Sequence, residues 1–109
     1  MPTNVELILC TCPDKATAKK LAHLLVSKKL AACVNIIPGI TSVYSWEEQI
    51  ESVTEQLLLI KTSIGHYAAI ETLLFKYHPY ELPEIIAVPI ERGLPEYLDW
   101  ITTCLSTKQ

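Results

Sequence analysis

Cys10 and Cys12 stand two apart in the run VELILCTC, residues 5–12. Side chains alternate along an extended strand, so both thiols would point to one face, close enough to share a soft cation such as Cu(I). Cysteine is also a small core hydrophobe, and that reading stands beside the first for both residues. Cys33 and Cys104 read as core or surface residues, and the four cysteines together match no zinc-finger spacing. His78 directly precedes Pro79, where a helix must stop. There a protonated ring would suit the helix dipole, and a neutral ring could bind a metal. His23 and His66 fall on predicted helix surfaces without partners at ligand spacing.

A second group is aromatic and charged: Tyr44, Trp46, Glu47, Lys61, Tyr80 and Glu84. A hairpin tip, the end of a strand and a Pro-Tyr loop carry these residues. Meeting across a subunit boundary, they would line a cleft. Packing between subunits would explain the aromatics equally well. Lys61 closes the apolar run LLLI, so it either reaches solvent or pairs with a carboxylate such as Glu47 or Glu84.

The elements that must position these groups follow from periodicity. Residues 5–12 are β-branched and apolar and end at Pro13 and Asp14, a strand followed by a helix N-cap. Over residues 15–29, Ala18, Leu21, Ala22 and Leu25 recur at helical spacing, with Lys28 and Lys29 at the negative end of the dipole. Strand character returns over residues 31–37, is interrupted by Pro38 and Gly39, and resumes over 40–46, which predicts one long strand with a bulge. Residues 47–49 turn, and 50–62 run back as the second arm of an extended hairpin. Ser63 is placed to cap a second helix carrying Tyr67, Ile70, Leu74 and Tyr77, which Pro79 ends. Residues 84–91 make a fourth strand whose Pro89 belongs at an edge or bulge, and Pro95 opens a short last helix.

This order predicts an α+β, ferredoxin-like βαββαβ sandwich with a long hairpin between its second and third strands and an extra C-terminal helix. Right-handed crossovers put the first two helices on one face of the sheet. Each hairpin arm would run roughly 45 Å at strand rise, whereas a domain of this length has a radius of gyration of about 13 Å. The tip must therefore overhang the body and expose Val43, Tyr44, Trp46 and Ile50 unless another copy covers them, which predicts a closed homo-oligomer.

At 109 residues the chain is expected to be a single domain over 1–109. Its 9 basic residues against 12 acidic ones, with Arg92 the lone arginine, argue against nucleic-acid binding and phosphoryl transfer. No run approaches a membrane span, and residues 1–4 lead into a strand with no basic and apolar leader, so a cytoplasmic chain with no membrane partner is expected. The phosphate loop with its arginine that serves acylphosphatases on this fold is missing from CTCPDKA. No Ser-His-Asp pattern, glycine-rich phosphate loop or paired acids occur, so no catalytic activity is expected.

The blocks LCTCPD (9–14), KKLAACVNIIPGITSVYSWEEQIE (28–51) and YHPYELPEIIAVPIERGLPEYLDWI (77–101) resemble the CutA family, the divalent-cation tolerance proteins. The resemblance covers nearly the whole chain. It implies a ferredoxin-like protomer in a homotrimer, built like the PII signalling proteins, that binds copper or a similar ion and takes part in the response to metals. Cys10 and His78 are then the metal-site residues, and no cofactor is expected to be required for folding. The other function this build implies is a PII-like regulatory or scaffold trimer with a small ligand in its intersubunit clefts. Two departures from the family pattern stand out. Glu48 occupies a turn position commonly held by glycine, which predicts another turn type, and Tyr77 stands where some members carry a second histidine.

Overall fold

The computed structural model describes residues 3–105. Residues 1–2 and 106–109, the two ends of the single domain expected over 1–109, lie outside the described residues. The elements are β1 (Val5–Cys12), α1 (Lys15–Ser27), β2 (Cys33–Trp46), β3 (Gln49–Ser63), a 3-10 turn (Ile64–His66), α2 (Tyr67–Tyr77), β4 (Ile85–Pro89) and α3 (Pro95–Leu105). The four strands form one antiparallel sheet in the order β2-β3-β1-β4. This is the expected ferredoxin-like α+β arrangement, with Pro89 ending an edge strand.

Alternation decides what each face of the sheet does. Ile8, Cys10 and Cys12 of β1 and Leu58 and Ile60 of β3 pack against Ala18, Leu21 and Leu25 of α1 and Ile70, Leu73 and Leu74 of α2. Each fully buried leucine or isoleucine there stabilises the fold by about 1.5–3 kcal/mol. The opposite face carries the intervening residues. At one end α3 covers it, placing Ile101 and Leu105 against Val5 and Ala32. Leu7, Leu9, Leu57 and Leu59 remain half-buried beyond it, and Ile86 and Val88 are exposed.

Local chemistry sets the element ends. Asp14 accepts the Thr17 amide at 2.8 Å and caps α1 as expected. The helix stops at Ser27, two residues before the predicted end, because Lys29 takes a left-handed conformation (φ 60°). The Lys29 and Leu30 amides then donate to the Val26 and Leu25 carbonyls, both at 3.0 Å, as a Schellman motif requires. Ser63 does not cap α2. Its hydroxyl lies 2.6 Å from His66 Nδ1, and the 3-10 turn intervenes before the helix begins at Tyr67.

The hairpin carries a register shift between Ile37 and Ile40, the expected bulge, with Gly39 at φ 72°. Its turn keeps the type expected of a glycine-bearing pair. Trp46 faces Gln49 across two residues, and Glu47 (φ 52°) and Glu48 (φ 67°) both have the positive φ of a type I′ turn. The substitution at position 48 therefore strains the turn without changing it. β1 supports β3 only from Gln56 to Ser63, so the remainder of the hairpin is a two-stranded ribbon. It draws the molecule out to 45 × 30 × 22 Å.

Candidate metal centre and aromatic cleft

Two groups of side chains meet at the end of β1 where the ribbon leaves the sheet. The first lies on the helix-covered face. Cys10, Cys12 and His78 each present a ligand atom there, all within 4.8 Å of one another, and all three residues are buried. Strand alternation brings the two thiols together, and the end of α2 delivers the imidazole. His78 is the C-cap, with extended backbone (ψ 138°), its amide bonded to the Leu74 carbonyl at 2.8 Å. That geometry turns the ring inward.

The ring is held from both sides. The Tyr80 amide donates to Nδ1 at 3.1 Å, which makes Nδ1 the acceptor and leaves the proton on Nε2, 2.7 Å from the Thr11 carbonyl oxygen. A ring nitrogen donating to a backbone carbonyl is the bond that commonly orients a ligating histidine. A metal would therefore meet the Nδ1 lone pair in competition with the Tyr80 amide. Burial and the neighbouring thiol set the sulfur chemistry. A hydrogen bond to Cys12 and then desolvation push the Cys10 thiol far above its ordinary range, whereas that same bond pulls Cys12 down. The Cys10 thiol also lies 3.8 Å from the Thr11 carbonyl oxygen. Gln56, opposite Cys12 in register, has a buried Oε1 with no hydrogen-bond partner.

Cys12, to which the family resemblance gives no role, is the third member of this group, on the same face as Cys10 as strand alternation expects. Tyr77, in place of the family's first histidine, stays outside this group. It is 41% exposed, with the ammonium groups of Lys76 and Lys20 5.4 and 5.7 Å from its ring centroid. Cys33 and Cys104 are half-buried and unpaired, and His23 is exposed.

The second group lies on the other face of the sheet, under the ribbon. Tyr44, Trp46, Glu55, Tyr80, Glu81 and Glu84 line a cavity of about 640 Å³, whose floor includes Thr11. The Tyr80 hydroxyl donates to Glu55 Oε2 at 2.5 Å, and burial followed by that bond pushes the hydroxyl's pKa up. Four of the six predicted cleft residues are here: Tyr44, Trp46, Tyr80 and Glu84. Glu47 sits in the turn beyond the cavity, exposed. Lys61 lies six residues along β3 from Glu55, about 20 Å at strand rise, and its Nζ donates to the Tyr97 hydroxyl at 3.1 Å and to neither predicted carboxylate. Glu55 was missed in the sequence. Its signal was the abrupt passage from polar to apolar in TEQLLLI, which marks where the ribbon joins the body.

The groups touch through Tyr80, whose amide holds His78 and whose hydroxyl holds Glu55. Among the described residues no helix is long and apolar enough to cross a membrane.

With this geometry in hand, comparison with known proteins is specific. The family model described as CutA1 divalent ion tolerance protein matches residues 6–104. The chain is 41% identical over 103 residues to the divalent-cation tolerance protein CutA of Escherichia coli, covering 94% of this chain and 92% of that one. It is 45% identical over 101 residues to protein CutA of Mus musculus, where the match covers 93% of this chain but spans only 57% of the mouse protein. Among solved structures, CutA from Xylella fastidiosa superposes with a TM-score of 0.93 at 48% identity, over 95% of this chain and all (100%) of that one. A protein from Archaeoglobus fulgidus described as a periplasmic divalent cation tolerance protein CutA gives 0.91 at 42%, over 94% and 99%. The chain belongs to the CutA1 divalent ion tolerance protein family.

Proposed function

We propose that this protein is a non-catalytic homotrimer that binds copper, or a similar thiophilic ion, at Cys10, Cys12 and His78 in the response of the cell to metals. One observation carries the reading: three buried donor atoms of soft and borderline character lie within 4.8 Å of one another. Two sulfurs and one imidazole nitrogen suit Cu(I) by softness, and a dry apolar surround favours a low-charge ion over a strongly hydrated one. The residues fit the ion provided that the Tyr80 amide yields Nδ1. Family membership supports metal tolerance as the setting, and the four unpaired cysteines suit a reducing compartment such as the cytoplasm.

Trimer formation is supported by what one chain leaves bare. Leu7, Leu9, Leu57, Leu59, Ile86 and Val88 form a continuous apolar sheet face outside the cluster that α3 buries, and the ribbon adds Val43 and Ile50, 66% and 76% exposed. Closed symmetry would bury both and leave no free sheet edge.

Titration of tag-free protein with Cu(I) and Cu(II), repeated on Cys10→Ser, Cys12→Ser and His78→Ala, tests the metal site. The expected result is Cu(I) binding that weakens at least tenfold in each variant. Unchanged affinity in all three would remove the site.

The cavity favours a second reading, a PII-like regulatory or scaffold trimer holding a small ligand in clefts between subunits. Tyr44, Trp46, Tyr80 and Glu84 already line one space within a single chain. Glu47 and Lys61 would join it only from another copy.

A further inference from the structure

We infer that Gln56 supplies a fourth, oxygen donor to the group of thiols and imidazole, and that this oxygen extends the site from Cu(I) to a divalent thiophilic ion such as Zn(II). This rests on the metal-centre reading above and names the residue that sets the choice of ion. Two buried side-chain oxygens among the described residues have no hydrogen-bond partner, Glu6 Oε2 and Gln56 Oε1. Glu6 sits six residues along β1 from Cys12, about 20 Å at strand rise. Gln56 stands directly opposite Cys12 in register and is 8% exposed. Paired residues of an antiparallel ladder put their side chains on one face with Cβ atoms about 5 Å apart, so the Gln56 amide shares the helix-covered face with both thiols. A buried amide oxygen left unpaired destabilises the fold, and a leucine would continue the apolar row of Leu58 and Ile60 without that loss. A bound ion would use the oxygen.

Donor chemistry decides which ions gain. Cu(I) is satisfied by soft donors at low coordination number, so a hard amide oxygen adds little to two sulfurs and an imidazole. Zn(II) takes four donors in a tetrahedron and accepts sulfur, nitrogen and oxygen together. Cys10, Cys12 and His78 supply three of them, and Gln56 removes the need to carry a water into a buried, apolar place. Binding would displace both thiol protons, and the two thiolates cancel the double charge of the ion. The neutral amide leaves that balance unchanged. Because the group lies between the sheet and the helices of one chain, assembly of several copies does not alter it.

The test uses the full, tag-free chain under reducing conditions. Cu(I) and Zn(II) affinities are measured by competition with chromophoric chelators for the parent, Gln56→Leu and Gln56→Glu. Co(II), a spectroscopic stand-in for zinc, reports coordination through its visible d–d bands, which are intense in tetrahedral surroundings and weak in octahedral ones. Gln56→Leu is expected to weaken Zn(II) about tenfold or more while leaving Cu(I) within about threefold of the parent. Gln56→Glu keeps an oxygen at the same reach, so it should hold Zn(II) within about threefold and retain the tetrahedral Co(II) bands that Gln56→Leu loses. Urea unfolding of the metal-free chains reports the fold separately, and there Gln56→Leu should be at least as stable as the parent.

Zn(II) affinity unchanged in Gln56→Leu would overturn the inference and leave the three-donor site standing. Equal weakening of both ions would overturn it as well, since Gln56 would then be a packing residue, and so would a Gln56→Glu chain that loses Zn(II) as Gln56→Leu does. A metal-free Gln56→Leu chain less stable than the parent would contradict the role of Gln56 as an unpaired group kept for an ion. A parent chain that binds Cu(I) but not Zn(II) would overturn the extension to divalent ions alone. Failure of the parent to bind either ion would overturn the inference together with the metal-centre reading.

Discussion

Residues 56–62 and 49–55 of β3 are one continuous strand, yet they live in different environments. The first stretch is paired on both sides and sandwiched under two helices, with Leu58, Ile60 and Thr62 fully buried. The second pairs only with β2 and, short of Glu55, carries its side chains near or at the surface. The body holds a small, closed group of thiols and imidazole whose polar atoms are committed to named partners. The ribbon, where it joins the body, holds an open aromatic cavity lined by carboxylates and by no basic residue of the same chain. A metal held in the first would be selected by donor softness, and a ligand in the second by shape and charge. The difference follows from where β1 ends. Beyond Cys12 there is no third strand, so β2 and β3 must find cover elsewhere.

The comparison breaks most visibly at the bare sheet face. Leu59→Glu, facing away from the helices, should leave the protomer folded but reduce the solution mass to that of one 12.2 kDa chain by light scattering. In the body, His78→Ala strips the Thr11 carbonyl and the Tyr80 amide of their partner at a buried site. Urea unfolding should show a loss of roughly 3 kcal/mol, whereas Trp46→Leu in the ribbon should cost far less in the protomer. At the ribbon tip the expected sign reverses. Glu47→Asn with Glu48→Gly relieves two left-handed non-glycine residues and should stabilise by about 1–2 kcal/mol in the same assay.

The smallest effect is at the α1 cap. The Thr17 amide holds the Asp14 carboxyl below its ordinary value, so its contribution is present above the unfolded pKa near 3.8 and lost as pH falls through the lower folded value. Asp14→Ala should therefore lower the melting temperature at neutral pH, and the difference from the parent chain should vanish in strong acid.

Much of this was legible in advance because it depends on local pattern. Apolar periodicity located every major element, Asp14 announced the first helix, and Pro38 with Gly39 marked the bulge. Alternation already put Cys10 and Cys12 on one face. What escaped depends on contacts distant in sequence or on backbone strain. The sequence presents His78 as a helix end that either suits the dipole or binds a metal, and only the packing of that end against β1 shows the ring turned inward onto Thr11. Glu48 suggested a different turn, but the twist of the flanking strands imposed the type I′ dihedrals regardless. Lys29 took a left-handed cap that composition would assign to glycine. Glu55 was silent because its partner, Tyr80, comes 25 residues later.

The central claim is that the two thiols on β1, together with His78, hold a thiophilic ion. X-ray absorption at the copper edge of the Cu(I)-loaded protein addresses it most directly. Two sulfur scatterers and one nitrogen are expected, falling to a single sulfur in Cys12→Ser. A first coordination sphere without sulfur, or one unchanged by that substitution, would contradict it.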